Sequence, residues 1–137
     1  MGRVTVRVQV ANQIDLYRAQ AGDIPPDQVR RVEIEGIVDS GATRLVLPES
    51  VGQQLGLVGD GQVRFRYGDQ RAELRPLVHN VWLKMEGRES SFSAVLEPKR
   101  TNALIGAIVM EELDMIVDCI TQKVVTRDPN IVVAEIE

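Results

Sequence analysis

The sequence predicts a mostly β domain with one or two short helices. Residues 3–10, RVTVRVQV, alternate polar and apolar side chains, which is the pattern of a half-buried strand. Further short apolar runs are separated by turn signals that contain Gly, Asp and Pro. Aromatic residues make up only 4% of the chain, so its core must consist mainly of Val, Leu and Ile, and β-branched residues favour strands. A length of 137 residues suits one domain.

The first half of the chain is predicted to continue with two strands and a helix. Residues 12–28 are polar and contain Gly-Asp and Pro-Pro pairs, so we expect a loop or turn there. Residues 29–38 predict a strand that becomes fully apolar just before Asp39. Residues 45–47 predict a short buried strand, after which Pro48 opens a short helix that ends before a glycine.

The second half is predicted to hold hairpins, a short strand and a second helix. Alternating residues on both sides of Gly68-Asp69 indicate a hairpin, and two further strands flank Gly87-Arg88. A short apolar run ends at Gly106 and leads into a short helix over residues 107–115. The predicted strands of this half are residues 62–67, 70–75, 77–86, 91–97, 103–106, 116–117 and 123–126.

The composition argues against several classes of function. The net charge is -4 and the isoelectric point is about 5.1, which does not fit a nucleic-acid binder with a basic surface. No apolar run is long enough for a membrane helix, and the N-terminus lacks the apolar region of a signal peptide. Cys119 is the single cysteine, so we expect no intrachain disulfide and a reducing, cytoplasmic location. Because it follows an apolar strand, we expect a buried structural thiol.

Two segments resemble a known family. They are IVDSGATRLVLP at residues 37–48 and ALIGAIVMEELDMIVD at residues 103–118. Together they resemble the retropepsin-like aspartic proteases of clan AA, and most closely the bacterial single-domain relatives of the retroviral enzymes. The resemblance covers roughly residues 30–127. It implies a closed β-barrel with a flap hairpin, formed by a domain at residues 1–127, and leaves residues 128–137 as a C-terminal tail.

The resemblance also implies an activity and a set of site residues. The family hydrolyses peptide bonds with two carboxylates, of which one is ionised and activates a water. It places Asp39, Ser40 and Gly41 in the catalytic loop, with the hydroxyl of Ser40 bracing that loop against a second chain. Ala42 and the flap-tip residues would contact a substrate bound as an extended strand; these residues are Tyr67, Gly68 and Asp69. No metal or cofactor is implied.

A single chain cannot supply both carboxylates, because Asp39 lies in the only Asp-Ser-Gly or Asp-Thr-Gly sequence. A two-fold symmetric homodimer would place Asp39 beside its own copy. Retroviral members also carry an Asp–Arg ion pair near this loop, but Thr43 and Ala107 stand at those positions here. Arg44 is the only nearby cation that the sequence indicates, and we expect Gly106 to pack beneath the loop.

Other interpretations of the same residues stay open. Asp39 could be a turn residue that caps local N–H groups, in a β-rich structural protein. The fold could also serve as a peptide-binding or dimerisation module without turnover. His79 could form a hydrolytic pair with Cys119 or Ser40, although no nucleophile-elbow glycines surround a serine. The half-apolar tail could pair across a dimer interface or fold back on its own subunit.

Overall fold

The computed structural model describes residues 3–136, which form a β-barrel with three short α-helices. The strands are β1 Val4–Asn12, β2 Arg31–Val38, β3 Leu45–Pro48, β4 Gly61–Arg66, β5 Ala72–Met85, β6 Arg88–Glu97, β7 Ala103–Ile105, β8 Met115–Asp118 and β9 Lys123–Thr126. The helices are α1 Gln13–Gln20, α2 Glu49–Gln54 and α3 Ala107–Glu112, with a single 3-10 turn at Pro26–Gln28.

Six of these strands close into a barrel. They follow the order β1-β2-β7-β3-β6-β5, and β5 pairs back with β1 between Gln9–Lys84 and Asn12–Val81. Strand β4 extends the sheet beyond β5 as the outer arm of a hairpin, and β8 and β9 form a separate two-stranded ribbon. The closed barrel confirms the predicted mostly β fold.

The barrel interior is filled by aliphatic side chains, as the low aromatic content predicts. Val8 and Val10 are almost fully buried along β1, while the alternate residues Arg7 and Gln9 are exposed. Phe92 is the one aromatic residue among the buried members of the main core cluster. The side chains larger than valine that are almost fully buried are Leu45, Leu47, Leu55, Leu83, Met85, Ile105 and Leu113. Period-two alternation therefore identified the inward face correctly.

The expectation of a loop over residues 12–28 is wrong, because this segment begins with helix α1. The helix is capped by Asn12, whose Oδ1 accepts a hydrogen bond from the backbone N–H of Asp15 over 3.0 Å. Asp15 in turn pairs with Arg30, which donates from Nε over 2.8 Å. A polar helix held by a cap and an ion pair lacks the apolar periodicity by which helices are recognised.

Two further expectations are corrected. Residues 70–75 and 77–86 are not two strands: β5 runs without interruption through Pro76, and its register against β6 shifts between Val78 and Val81. Cys119 is not buried but exposed, in the turn between β8 and β9. There the carboxylate of Asp118 accepts hydrogen bonds from the backbone N–H groups of Ile120 and Thr121, which lie two and three residues further along the chain. This turn carries Cys119 away from the core.

The C-terminal tail lies against its own subunit through backbone contacts. Arg88 donates to the carbonyls of Asp128 and Ile131, and Arg127 donates to the carbonyl of Val133 over 3.0 Å. The side chains of the tail nevertheless remain exposed, with Ile131 63% and Ile136 94% accessible. Glu137 lies outside the described residues. Pairing of this tail across a dimer interface stays a prediction.

Candidate active site

The site is built on the end of strand β2, where Asp39 leaves the sheet. Strand β2 pairs in parallel with β7, and Val38 is in register with Ile105. The backbone N–H of Asp39 continues this pairing by donating to the carbonyl of Ile105 over 3.1 Å. The chain then turns, and the N–H of Ala42 donates back to the carbonyl of Asp39 over 3.1 Å. The backbone of Asp39 is thus fixed on both sides.

Glycine 106 and helix α3 support the turn from below. A Cβ atom on Gly106 would lie 2.5 Å from the carbonyl oxygen of Arg44 and 2.8 Å from that of Ala42, so only glycine fits. The first N–H groups of α3 donate to the same loop, from Ala107 to Ala42 over 2.8 Å and from Ile108 to Thr43 over 2.9 Å. These N–H groups have no partner within their own helix. The predicted packing of Gly106 beneath the loop is confirmed.

The carboxylate of Asp39 points into solvent from this fixed backbone. Its Oδ1 accepts a hydrogen bond from the backbone N–H of Gly41 over 2.9 Å. Asp39, Ser40 and Gly41 are all exposed in the single chain. The arrangement leaves the second oxygen without a hydrogen bond to residues 3–136. A carboxylate placed in this way can accept a proton from a water or donate one to a ligand.

A cleft of about 520 Å³ separates the Asp39 loop from the β4–β5 hairpin. Asp39, Gly41 and Ala42 line it from below, and Tyr67 and Gly68 line it from the hairpin. The tip of the hairpin is closed by the N–H of Tyr67, which donates to the carbonyl of Arg71 over 2.9 Å. The fold therefore brings five of the predicted site residues to one cleft. Ser40 and Asp69 are not among its lining residues.

Asp69 instead stabilises the hairpin tip. Its Oδ1 accepts a hydrogen bond from the backbone N–H of Arg71 over 3.0 Å, two residues further along the chain. Such a contact is usual for an aspartate in a tight turn. Ser40 lies at the exposed tip of its own turn, next to Asp39.

The side chain of Tyr67 is anchored to strands β5 and β6 rather than free to swing. Its hydroxyl donates to the carboxylate of Glu97, with oxygen distances of 2.8 and 3.0 Å, and accepts from Nη2 of Arg75 over 3.2 Å. Burial, together with the hydrogen bond to Glu97, raises the pKa of Tyr67. The guanidinium of Arg71 lies 4.3 Å from the centre of the tyrosine ring. Tyr67 therefore forms a rigid wall of the cleft.

The sequence interpretation missed three charged residues near this cleft. Glu97 and Arg75 form the polar partners of Tyr67, with 3.6 Å between Arg75 Nε and Glu97 Oε1. Arg100 lines the cleft itself, so Arg44 is not the only cation near the loop. These side chains come from separate segments, and no local sequence pattern links them to Asp39. Only the buried position of Glu97 at the end of an apolar strand could have drawn attention to it.

The alternative hydrolytic pairs are not formed. The ring of His79 contacts Ser93, with 2.7 Å between Nδ1 and Oγ, and not Ser40 or Cys119. The Cys119 thiol lies 4.0 Å from the carbonyl oxygen of Val117. Within residues 3–136, no cluster of three or more His, Cys, Asp or Glu side chains could hold a metal ion. Nor does this part of the chain contain a helix long and apolar enough to span a membrane.

Comparison with protein families supports the chemistry that the cleft indicates. A family model described as aspartyl protease matches residues 27–109, which include the Asp39 loop, the β4–β5 hairpin, β7 and the start of α3. This match covers more than half of the chain. A search of curated proteins gives no match.

Proposed function

Because this chain belongs to the aspartyl protease family, we propose that it is an endopeptidase that works as a homodimer with one Asp39 carboxylate from each subunit. The family supports aspartic protease activity in general. The homodimer is supported by one observation. Asp39 is the only carboxylate among the residues that line the cleft in the described part of the chain. A second carboxylate must therefore come from outside this subunit, and two-fold symmetry supplies it.

The two carboxylates would share one proton. Like charges a few ångströms apart resist joint ionisation, so one Asp39 stays protonated while its copy is ionised. The ionised carboxylate takes a proton from a water, which attacks the peptide carbonyl carbon. The protonated carboxylate hydrogen-bonds to the carbonyl oxygen as negative charge develops there. The fixed backbone on both sides of Asp39 supports this role, because catalytic groups must be held in place before the reaction.

The substrate would bind as an extended strand between the Asp39 loop and the β4–β5 hairpin, which acts as a flap. An extended peptide gains affinity from main-chain hydrogen bonds and specificity from pockets for alternate side chains. Ala42 and Gly68 line opposite sides of the cleft, where they would contact this strand. The exposed apolar side chains of the tail, Ile131, Val132 and Val133, would help to seal the dimer.

Subunit mixing tests the shared site. Wild-type protein is incubated with a ninefold excess of Asp39→Asn protein, and hydrolysis of fluorescein-labelled casein is measured at acidic to neutral pH. Random exchange leaves about one tenth of the wild-type subunits paired with each other, so activity should fall about tenfold. A ninefold excess of serum albumin is the control. Activity unaffected by the mutant, with mixed dimers present in native mass spectra, would exclude the shared pair.

The pH profile provides an independent test. A pair that needs one charged and one neutral carboxylate gives a bell-shaped dependence of kcat/KM on pH. Activity that rises steadily through the alkaline range would instead implicate Cys119 or His79. If casein is not hydrolysed at any pH but labelled casein peptides still bind, the domain is a binding module without turnover.

A further inference from the structure

One half-buried arginine of the cleft has no partner for its charge within residues 3–136. Arg100 lies in the segment between β6 and β7, is half-buried, and lines the cleft together with Asp39. Its Nε atom is buried and makes no hydrogen bond with residues 3–136. No carboxylate oxygen of these residues lies within 4.0 Å of its guanidinium nitrogens. A buried donor without a partner lowers stability. The Nη atoms of Arg100 are not buried in this way, and they are the donors that a ligand in the cleft can reach.

Other arginines removed from solvent are compensated within the chain. Arg75 also has a buried Nε without a hydrogen bond, but its guanidinium pairs with the carboxylates of Glu73 and Glu97. Arg88 has no carboxylate partner within residues 3–136, but it donates to four backbone carbonyls, those of Leu113, Asp114, Asp128 and Ile131. Arg100 has neither kind of compensation in the described chain. This contrast distinguishes Arg100 from the arginines that hold parts of the fold together.

The charges around Arg100 do not remove this deficit. Burial lowers the pKa of Arg100, and the more distant negative charges of Glu97 and Asp39 act in the opposite direction. Glu97 already accepts from the hydroxyl of Tyr67 with both of its oxygens. Asp39 must keep its carboxylate available for water and substrate if it is catalytic. A carboxylate brought by a ligand could pair with the guanidinium through two parallel hydrogen bonds.

The cleft also differs in charge from the molecule as a whole. Its lining residues include four arginines and one carboxylate, whereas the chain carries a net charge of -4. Arg64 and Arg66 belong to the exposed face of β4, since they alternate with Val63 and Phe65, which pack inward. They can attract an acidic ligand at longer range. Arg100 is the cation at the half-buried wall, where pairing is less screened by water.

We propose that Arg100 selects substrates that carry an aspartate or glutamate side chain next to the scissile bond. This inference rests on the proposed protease function of the same cleft. In this role Arg100 determines specificity: it binds the substrate carboxylate, and it takes no part in the proton transfers at Asp39. The preferred substrates are then extended segments with an acidic residue next to the scissile bond, although the protein itself carries a net negative charge.

Paired peptides test the proposal directly. A mixture of synthetic peptides of random sequence is digested with the wild-type protein, and the best-cut peptide is identified by mass spectrometry. That peptide is resynthesised with Glu or with Gln at each position flanking the cleaved bond. At about pH 6, where a free glutamate is ionised, kcat/KM for Glu should exceed that for Gln by about tenfold at one of these positions.

The variants then assign the preference to one residue. Arg100→Met should reduce the Glu/Gln ratio of kcat/KM to about one, and Arg100→Lys should retain part of it because the charge remains. Arg18→Met, at an exposed position of α1 outside the cleft, is the matched control and should keep the preference. Equal cleavage of the Glu and Gln peptides by the wild type at every position would overturn the proposal. So would an unchanged ratio in Arg100→Met.

A binding assay separates this proposal from the proposed function. Random peptides are selected on immobilised Asp39→Asn protein, and the Glu and Gln forms of a selected peptide are compared by fluorescence anisotropy, with and without Arg100→Met. A preference for Glu that depends on Arg100, found together with no hydrolysis of any peptide by the wild-type protein, refutes the protease function and leaves the carboxylate site in place. Hydrolysis without any preference for Glu refutes the role of Arg100 alone.

Discussion

Asp39 and Asp114 show two different ways in which this fold holds an aspartate. Asp114 is 8% exposed, and its oxygens accept from Nε of Arg127 over 2.8 Å and from the N–H of Val133 over 2.9 Å. Asp39 is exposed, and its carboxylate accepts one hydrogen bond within the described chain, from Gly41. The side chain of Asp114 is held by its neighbours, whereas Asp39 is held mainly through its backbone.

The difference separates a structural carboxylate from one suited to chemistry. The oxygens of Asp114 are occupied by its own subunit, so the residue joins the tail to the ribbon formed by β8 and β9. The position of Asp39 is set by Ile105 and Ala42 through backbone hydrogen bonds, which leaves the carboxylate available to other molecules. A rigid backbone with an accessible side chain is what a preorganised catalytic group requires.

The largest expected effect is the loss of activity in Asp39→Asn. The change removes the ionisable group from both halves of the proposed pair, so kcat/KM for casein peptides should fall by a factor of about 100 to 10,000. The melting temperature should stay nearly constant, because the carboxylate is exposed and its backbone contacts are retained. Asp118→Asn, in the β8–β9 turn, is the control for a general loss of charge. An equal loss of activity in Asp118→Asn with the fold intact would show that the wrong acid was chosen.

The next largest effect is expected when the backbone support of Asp39 is displaced. In Gly106→Val the new side chain would collide with the carbonyls of Arg44 and Ala42, which are backbone atoms and cannot rotate away. We expect a loss of about 1–3 kcal/mol in the free energy of unfolding. Displacement of the Asp39 loop by about 1 Å should also lower kcat about 100-fold.

Gly61→Ala is the matched control for this change, since no atom lies within 4 Å of the added Cβ. Urea unfolding and peptide hydrolysis are measured for both variants. If Gly106→Val keeps wild-type activity, the turn is not held from below by close packing, and the proposed contrast between Asp39 and Asp114 loses its basis.

The sequence predicted this part of the molecule well because its determinants are local. The apolar run before Asp39 and the short apolar run before Gly106 are each readable as strand ends, and their resemblance to one family places them side by side. The contacts of Asp114, Arg88 and Arg127 could not be predicted in this way. The side-chain contacts of Asp114 and Arg88 join segments 13 to 43 residues apart, and these residues look like ordinary surface charges in the sequence.

Helix α1 and the group around Tyr67 were missed for a related reason. The helix depends on the cap at Asn12 and on the contact from Arg30, which lies 15 residues after Asp15. The position of Tyr67 depends on Glu97, which is 30 residues away. The pattern of apolar residues in the sequence indicates which face of a strand is buried, but it does not indicate which buried charged side chains pair with each other.

A smaller effect is expected when the hydroxyl of Tyr67 is removed. Tyr67→Phe keeps the ring that lines the cleft but leaves Glu97 with one hydrogen-bond donor fewer. The free energy of unfolding should fall by about 1 kcal/mol, and kcat/KM should change by no more than about fivefold. Tyr17→Phe is the control, because Tyr17 is 58% exposed on α1. A loss in Tyr67→Phe as large as that in Asp39→Asn would place Tyr67 in the chemistry itself.

The smallest effect on catalysis is expected from Asp114→Asn, which should instead change the dependence of stability on pH. The N–H of Val133, together with Arg127, holds the pKa of Asp114 below its ordinary value. A carboxylate with a lowered pKa in the folded state contributes stability above its unfolded pKa of about 3.9, and this contribution is lost as the pH falls through the folded pKa. The wild type should therefore melt at a higher temperature than Asp114→Asn at pH 6, and this difference should shrink in strongly acidic buffer.

Thermal unfolding of both proteins from pH 6 down to about pH 2 measures this difference, and contributions from other carboxylates cancel because they are common to both. Asp23→Asn, an exposed position in the segment after α1, should show no such dependence. Peptidase activity at neutral pH should be unchanged in Asp114→Asn, since the residue lies outside the cleft. A difference in melting temperature that stays constant across the whole range would show that the effect of Asp114→Asn on stability does not depend on the charge of the carboxylate. In that case Asp114 would be held by packing, and the distinction between the two aspartates would rest on exposure alone.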